Sequence, residues 1–384
     1  DGIEEGGIIK QLNNEEYIVC GNSTSGIDGD KTQVNFGARD FWLVKMDSIG
    51  NKVWDFVYGG TLTELAGNGL NSLLSLPDGN FIFGGTTNSP LSGNISDTSK
   101  GGFDVWILNI DSFGNIIWDK RFGGSSADKV KHISQTRDKG YIICSETNSP
   151  QSGDVSDTSR GGISDFWILK IDSVGNKLWD KRYGGNQLDI PMKIVEDFDG
   201  GYWVGGITNS DLGAEISEPP IGDFDYWIIK IDSIGNKIWD KRFGGPSGNF
   251  LTDFILLPDS SIMLFGSADS GTSSIKTDPG KGASDYWLVH FYYGPNPVGI
   301  KDVNETIYNY SVYPNPASYF ITIEMKENNN PFTFTLKDLV GRKILSRHIQ
   351  SNQTIDISEY PSSLYLYEII TNENIVLNGK IVVY

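Results

Sequence analysis

Short segments in which apolar and polar residues alternate make up most of the chain up to residue 293, and clusters of Gly, Asp, Asn and Ser separate them. Alternation with a period of two is the pattern of a β-strand, and enrichment in Ile, Val, Tyr, Phe and Trp favours the same assignment. Two of the predicted strands are "DYWIIKID" (225–232), where the enrichment is strongest, and "NKIWDKRFGG" (236–245). No segment of this region has a convincing helical period, so the pattern predicts an all-β fold.

These predicted strands belong to a repeat of about 60 residues, and each complete copy contains four of them. The longest shared phrase, "KIDSxGNKxWDKRxGG", occurs at residues 170–185 and again at 230–245. A four-stranded unit repeated in tandem is typical of a β-propeller blade. The sequence therefore predicts a β-propeller at residues 1–293, with about five blades at 1–60, 61–124, 125–185, 186–245 and 246–293.

Nine of the ten tryptophans occupy two positions of this repeat. A large aromatic side chain at the same place in every blade can fill the space between neighbouring sheets, so the repetition indicates a packing role. The first column lies in predicted strand three and the second in strand four: Trp42, Trp106, Trp167, Trp227 and Trp287, then Trp54, Trp118, Trp179 and Trp239.

The fifth copy lacks the sequence of a fourth strand. After "DYWLVHFYYG" (285–294) the chain continues with "PNPVG" where the other copies have "GNKxWDK". We expect either that a segment upstream of residue 1 supplies the missing strand or that this blade has three strands.

Composition changes after the repeats. Residues 294–310 are interpreted as a linker, and 311–384 as a second strand-rich segment that suits a small, Ig-like β-sandwich. This segment contains "VYPNPAS" (312–318), "LKDLVGRKIL" (336–345) and the closing "GKIVVY" (379–384).

These three motifs, in this order, resemble the type A C-terminal sorting domain of the Bacteroidota type IX secretion system. The chain departs from the family pattern at Ser363, where a glycine normally precedes an apolar-Tyr strand. The resemblance implies recognition by translocon components at the outer membrane. It also implies a secreted or surface-displayed protein whose N-terminal signal peptide has been removed. The sorting-signal residues that it implies are Tyr313, Pro314, Asn315, Pro316, Gly341 and Lys380.

The turn between predicted strands three and four carries a second resemblance. "DSI" (47–49), "DSV" (172–174) and "DSI" (232–234) are similar to the Asp-Ser/Thr-aliphatic acceptor for O-glycosylation in Bacteroidota. The resemblance implies that Ser48, Ser173 and Ser233 are glycosylated. The simpler interpretation is that Asp and Ser suit a tight turn.

Charge and composition narrow the choice of partners. The formal net charge is -18, and nucleic-acid binding needs a surplus of Lys and Arg, so nucleic acid is not an expected partner. No apolar run approaches the roughly 20 residues of a membrane-spanning helix, so we do not expect a transmembrane protein. The three histidines are far apart, and we assign no metal site. Cations, sugars or proteins remain as expected partners.

Variation among the repeats is concentrated in the long loops between predicted strands two and three. Propeller topology places these loops on one face, where binding sites usually lie. Their carboxylates are candidates for binding a glycan or another surface ligand, and calcium is the one cofactor that they suggest. The simpler interpretation is that they are solvated loops. The candidate ligand-binding residues are Asp28, Asp30, Asp97, Asp154 and Asp157.

Catalytic motifs are not evident in the sequence, and most acidic residues stand at repeated positions that folding explains better than catalysis. We therefore expect a non-enzymatic binding or adhesion propeller that the type IX secretion system exports. One alternative is an extracellular carbohydrate-active enzyme with carboxylates in a central tunnel. The other is a cargo or accessory partner of the secretion or gliding machinery.

Overall fold

The computed structural model describes fourteen segments of the chain. Every secondary-structure element in these segments is a β-strand. The all-β prediction is confirmed. The chain divides into two compact units, one of residues 1–254 and 264–289 and the other of 255–263 and 290–384. The predicted linker lies outside the described residues except for its last position. The described segments are 2–12, 14–66, 72–257, 261–269, 271–273, 275–277, 279–293, 310–313, 317, 319–325, 331–338, 341–361, 363–371 and 376–383.

The repeat forms antiparallel sheets in which neighbouring strands follow one another along the chain. In the second sheet two short strands, β5 and β6, share the first position and both pair with β7. Within the described residues the fifth sheet has three strands. The first sheet contains β1 (Glu4–Gln11), β2 (Tyr17–Ser23), β3 (Asp40–Met46) and β4 (Lys52–Tyr58); the second β5 (Glu64–Ala66), β6 (Leu73–Ser75), β7 (Phe81–Thr87), β8 (Asp104–Ile110) and β9 (Ile116–Phe122); the third β10 (Asp128–Gln135), β11 (Tyr141–Thr147), β12 (Asp165–Ile171) and β13 (Lys177–Tyr183); the fourth β14 (Asp189–Glu196), β15 (Tyr202–Thr208), β16 (Asp225–Ile231) and β17 (Lys237–Phe243); and the fifth β18 (Asn249–Leu256), β19 (Ser261–Asp269) and β20 (Ser284–Tyr292).

The C-terminal segment forms two further sheets, one with the order β21-β22-β25 and one with the order β24-β23-β26-β27. Apolar side chains from both sheets, among them Ile321, Phe334 and Ile381, share one buried core. The Ig-like arrangement of this segment stays a prediction. The strands are β21 (Tyr310–Tyr313), β22 (Phe320–Met325), β23 (Phe332–Lys337), β24 (Lys343–Ile349), β25 (Gln353–Asp356), β26 (Ser363–Thr371) and β27 (Val376–Val383).

The third strand of each internal repeat sheet is buried on both faces. In β12, Phe166 stacks near Trp227 of the following sheet, with ring centroids 4.9 Å apart. Its neighbour Trp167 points to the other face and belongs to a core cluster with Ile107 of the preceding sheet. Strands covered on both sides read as continuous apolar runs, which explains why "DFWILKI" does not alternate.

The first tryptophan column joins strand three to strand four. Trp167 Nε1 donates a hydrogen bond to Asp180 Oδ2 (2.9 Å), and the backbone N–H of Ser156 donates to the same oxygen (2.9 Å). One carboxylate therefore fixes the indole ring and the loop between strands two and three. The same bond recurs from Trp42 to Asp55, from Trp106 to Asp119 and from Trp227 to Asp240.

The second column packs against the turn of the next sheet, as the sequence predicts. Gly175, in the turn after β12, has φ of +86°, and a Cβ there would lie 3.1 Å from Trp118 Cζ3. Glycine is required at this turn both for its left-handed backbone and for the close approach of the ring. Gly235 meets Trp179 in the same way, with 2.9 Å between the corresponding atoms.

Buried ion pairs connect strand four to strand three and to the preceding loop. Arg121 Nε donates to Asp104 Oδ2 (2.6 Å), and Arg121 Nη1 donates to the carbonyl oxygen of Ser89 (2.5 Å). Both charged side chains are fully buried. An unpaired charge in such a place is strongly destabilising, so each pair must form as a unit. Equivalent pairs join Arg182 to Asp165 and Arg242 to Asp225.

Two glycines follow each fourth strand, between a carboxylate of one sheet and a polar side chain of the next. A Cβ on Gly123 would collide with Asp104 Oδ1 and would lie 3.0 Å from Asp128 Oδ2, which belongs to the next sheet. The N–H of Gly124 donates to Asp128 Oδ2 (2.7 Å), and the hydroxyl of Thr147 donates to Asp128 Oδ1. The chain of buried polar groups thus passes from one sheet to the next. We call each such place a glycine junction: Gly59–Gly60, Gly123–Gly124, Gly184–Gly185 and Gly244–Gly245.

The buried cation comes from a different part of the repeat in the first sheet. Val57 stands where the strand register of the next three sheets has arginine. Lys31, from the loop after β2, takes over the role: it is buried, and its Nζ donates to the carbonyl oxygen of Ser25 (2.6 Å). The counterparts of Lys31 in the sheets that have arginine are the aliphatic residues Ile95, Val155 and Ile216.

We expect Lys31→Ile to lower the free energy of unfolding by about 3 kcal/mol, because it leaves the carboxylate of Asp40 and nearby carbonyl groups without their buried cation. Adding Val57→Arg to this variant should recover most of the loss, since the pair then matches the second sheet. Urea unfolding of the wild type, both single variants and the double variant measures the coupling energy. If the effects of the two substitutions on the free energy of unfolding simply add in the double variant, Lys31 does not take the place of the strand-four arginine.

Two carboxyl groups meet at the first glycine junction. Asp40 Oδ2 accepts hydrogen bonds from the N–H groups of Phe36 (2.6 Å) and Gly37 (3.2 Å), and the carboxyl group of Glu64 faces Asp40 across Gly59. Burial, together with the hydrogen bond and the like charge of Glu64, raises the pKa of Asp40 to about 7. A proton shared between the two groups therefore belongs to the native junction at mildly acidic pH.

This raised pKa predicts that the free energy of unfolding falls as pH rises from about 4 to about 7, because the folded protein holds a proton on Asp40 that the unfolded chain has released. Asp40→Asn should flatten this dependence, since its amide can donate to Glu64 without titrating. Urea unfolding at several pH values tests the difference. The control is Asp47→Asn at an exposed turn, where hydrogen bonds lower the pKa, so the fall should persist. An unchanged profile in Asp40→Asn would refute the assignment.

Candidate functional site

A groove with a volume of about 650 Å³ lies between loops of the fourth and fifth sheets. Its walls come from the loop after β15, the segment before β16, the start of β18 and the end of β19. The sequence predicts binding in the loops between strands two and three. The first two of these four segments lie in such a loop, and the end of β19 adjoins another.

Two phenylalanines form the apolar part of the groove. Phe224, just before β16, and Phe250, in β18, have ring centroids 5.5 Å apart and planes inclined by 33°. Phe250 is 39% exposed although it is a large apolar side chain. A Cβ on Gly248 would lie 2.8 Å from Phe250 Cε2, so glycine at this position makes room for the ring.

Three carboxylates surround these rings, and there is no Lys or Arg among the described residues of the lining. Asp211 Oδ2 accepts a hydrogen bond from Asn186 Nδ2 (2.9 Å), which holds it in place. Asp223 is exposed, and the carboxylate of Asp269 lies against Gly248. Since ionised carboxylates only accept hydrogen bonds, the groove is suited to ligands that carry donors, such as hydroxyl or amino groups.

The predicted ligand-binding residues lie elsewhere, in loops of the first three sheets. Asp154 Oδ2 accepts from the N–H of Gly123 (3.2 Å), and Asp157 Oδ2 accepts from the N–H of Arg182 (3.1 Å), so both tie their loop to a strand end. Burial raises the pKa of Asp154. A ligand-binding role for these residues stays a prediction.

The other three predicted residues are on the surface of their loops. The backbone oxygen of Asp30 accepts from Lys52 Nζ, Asp97 accepts from the N–H of Thr98 (2.8 Å), and Asp28 is exposed. Across the described part of the chain, no three His, Cys, Asp or Glu side chains are grouped so that they could hold a metal ion.

The groove residues break the repeat, and this is the signal that sequence reasoning passed over. The second and third loops share "NSPxSGxxSDTS", whereas the fourth reads "NSDLGAEISEPPIGD". Asp211 replaces the proline of the shared pattern, and Asp223 has no acidic counterpart in either loop. Phe250 stands at the strand position that Lys129 has in the third sheet. Residues that differ between copies of a repeat are not needed for the shared fold, so they are good candidates for a binding site.

The serines of the turn motif are exposed at Ser48, Ser173 and Ser233. Asp172 Oδ1 accepts from the N–H groups of Val174 (3.0 Å) and Asn176 (2.8 Å), which is the geometry of an Asx-turn. The turn interpretation therefore has a structural basis, and glycosylation stays a prediction.

The predicted sorting-signal residues are described in part. Tyr313 ends β21 opposite Thr322, whereas Pro314, Asn315 and Pro316 lie outside the described residues. Gly341 has φ of +82°, and its N–H donates to the carbonyl oxygen of Asp338 (2.9 Å) in the turn after β23. Lys380 lies in β27 opposite Leu366.

Comparison with known proteins adds one distant relative and several solved structures. The chain is 21% identical over 186 residues to the regulatory protein FlaEY of Caulobacter vibrioides. This alignment covers 46% of the chain and 19% of that protein, so the chain spans about a fifth of its curated relative.

Among solved structures, the extracellular domain of a hybrid two-component system protein from B. thetaiotaomicron aligns at 11% identity and a TM-score of 0.33, covering 99% of this chain and 44% of that one. Dimeric latent PorU from Porphyromonas gingivalis aligns at 10% identity and a TM-score of 0.17, over 99% of this chain and 32% of that one. Similarity at these TM-scores carries no argument about function.

The family comparison is specific to the end of the chain. The model for the secretion system C-terminal sorting domain matches residues 311–384, which are the boundaries that the sequence motifs predict. In the segments that the structure describes, no helix is long and apolar enough to span a membrane. Residues 311–384 belong to the C-terminal sorting domain family, and the chain is a type IX secretion cargo that is exported to the cell surface or the extracellular space.

Proposed function

We propose that the chain is a non-enzymatic binding or adhesion protein outside the cell, with a five-bladed β-propeller as its scaffold and the groove of the fourth and fifth sheets as its ligand site. The sorting domain at 311–384 accounts for export, since it implies recognition by the type IX secretion system. The repeats are then the part of the chain that acts after export.

The repeated contacts support the propeller. The second sheet meets the third, and the third meets the fourth, through the same three contacts, namely a tryptophan of the second column, the turn glycine and the glycine junction. A constant contact between identical neighbours generates a rotational arrangement, and four-stranded antiparallel sheets related in this way are propeller blades. The loops between strands two and three of all blades then share one end of the scaffold.

One observation carries the binding proposal: the half-buried ring of Phe224 and the exposed ring of Phe250 lie together in a groove that also presents Asp211, Asp223 and Asp269. Binding sites combine apolar or aromatic surface with a few polar groups that orient the ligand. Sugar rings have apolar faces and many hydroxyl donors, so they match both halves of this surface. We propose a glycan as the ligand class.

Chemical turnover is less well matched to this groove than binding. Asp211 and Asp223 are exposed, whereas a general acid works best at a site that is shielded from water. The carboxyl groups with raised pKa values, such as Asp40 and Asp165, are buried at glycine junctions, where burial explains the shift. The proposal therefore assigns no catalytic role to the groove.

The test is a glycan array with the purified chain, followed by calorimetric titration of each glycan that binds. Phe250→Ala should weaken binding about tenfold, which corresponds to ~1.4 kcal/mol, because it removes one of the two aromatic faces. Asp223→Asn should weaken it as well, since it replaces an ionised acceptor. Phe113→Ala serves as the control, because Phe113 is also an exposed ring and lies on a turn outside the groove.

No binding on the array, or equal losses in Phe250→Ala and Phe113→Ala, would count against the groove. Release of shortened glycans during the titration would identify an enzyme instead. Circular dichroism of each variant separates loss of binding from loss of fold.

A further inference from the structure

No described strand covers the outer edge of Ser284–Val289, in the third strand of the fifth sheet. In the first four sheets the strand at this position pairs with a fourth strand, but within the described residues β20 pairs only with β19. Tyr286 and Leu288 of β20 are 84% and 61% exposed, whereas their counterparts in β16, Tyr226 and Ile228, are fully buried.

Side chains that receive a fourth strand elsewhere are nevertheless present in β20. Asp285 Oδ2 accepts from the N–H groups of Lys281 (2.7 Å) and Gly282 (3.2 Å), as the aspartates do at the start of other third strands. Trp287 packs near Tyr226 with ring centroids 5.0 Å apart. Its Nε1 has no acceptor among the described residues, whereas the other members of its column donate to an aspartate of strand four.

We propose that the edge of β20 from Ser284 to Val289 is an acceptor for an antiparallel β-strand of the fourth-strand type, with Trp-Asp at its centre. An exposed sheet edge binds extended peptide through main-chain hydrogen bonds, and the side chains along it supply the specificity. The aspartate of the incoming strand provides the missing acceptor for Trp287 Nε1.

The loop of the fifth sheet determines which fourth strand fits. Lys276 is buried, and its Nζ donates to the carbonyl oxygens of Asp269 and Gly271 (2.9 Å each) at the end of β19. Its side chain approaches Gly245 as the side chain of Ile216 approaches Gly185 one sheet earlier. Lys276 therefore stands at the position of Lys31 in the first sheet.

A loop lysine at this position excludes arginine from the paired strand. In the sheets with Arg121, Arg182 and Arg242, the loop residue is aliphatic, and in the sheet with Lys31, strand four has Val57. Two buried cations competing for the same carbonyl groups would repel each other. The strand that β20 accepts consequently has an aliphatic residue where the internal sheets have arginine.

The register of the first sheet gives the expected cross-strand contacts. There Phe41 faces Tyr58, Trp42 faces Val57 and Leu43 faces Phe56. A peptide with the sequence of β4, Lys-Val-Trp-Asp-Phe-Val-Tyr, would place its phenylalanine opposite Leu288 and its tyrosine opposite Tyr286. Apolar cross-strand pairs of this kind stabilise antiparallel sheets.

The experiment measures fluorescence polarisation of two labelled peptides with the full chain: Lys-Val-Trp-Asp-Phe-Val-Tyr and the same peptide with arginine in place of the second valine. We expect the valine peptide to bind at least tenfold more tightly. Because the chain has a net charge of -18, nonspecific attraction would favour the arginine peptide, so the expected order is not a charge artefact. Lys276→Ile should reverse the preference, since it recreates the loop of the internal sheets.

A second variant tests the site. Leu288→Asp changes a side chain that is exposed in the free protein, so it should leave the fold intact and abolish binding of the valine peptide. Failure of both peptides to bind, equal affinities, or binding that Leu288→Asp does not affect would each overturn the proposal. A dimer that dissociates in Leu288→Asp would show that a second copy occupies the edge and would overturn it too.

Discussion

The arrangement of the repeats depends on buried charged side chains, each of which must be paired with buried groups that accept its hydrogen bonds. In each of the first four repeat sheets, one buried cation donates a hydrogen bond to a carbonyl group of the loop after strand two. In the second, third and fourth sheets this cation is an arginine that also pairs with the aspartate at the start of strand three. Across each glycine junction, the next sheet presents a polar group to the same glycines. Hydrophobic burial supplies most of the driving force for such a fold, but it is insensitive to direction. The buried charges cannot be paired in a shifted register, and they therefore fix how one sheet follows another.

The groove depends on this framework. Phe224 immediately precedes Asp225, whose carboxylate is held by Arg242, and Phe250 immediately follows Asn249 at the fourth glycine junction. Both rings are thus next to residues that the buried polar chain fixes. The loop that supplies Asp211 and Asp223 can vary in sequence without disturbing the sheets, because its two ends are anchored. A rigid scaffold with variable loops is the usual basis for changing what a repeat protein binds.

Much of the fold could be predicted from the sequence, and the reasons are local. The period of two, the turn at Asp172 and Gly175, and the two tryptophan columns all reflect interactions that recur in several copies. The sorting domain was predictable because its motifs stand in a fixed order. The roles of Lys31 and Val57 could not be predicted, since each looks ordinary alone and only the strand register shows that one replaces the function of an arginine. The groove was missed for a related reason: Phe224 and Phe250 are separated in sequence and meet only when two sheets pack.

A buried cation comes either from the loop after strand two or from strand four, but not from both. This rule also constrains how such arrays can change during evolution. A duplication that copies a whole repeat carries both members of the pair and preserves the match. A crossover or circular permutation whose breakpoint falls between the loop and the strand would join a lysine loop to an arginine strand, or an aliphatic loop to a valine strand, and would leave either two buried cations or none. Breakpoints tolerated in these genes should therefore cluster outside the stretch from the loop to the end of strand four, which corresponds to residues 31–57 in the first repeat.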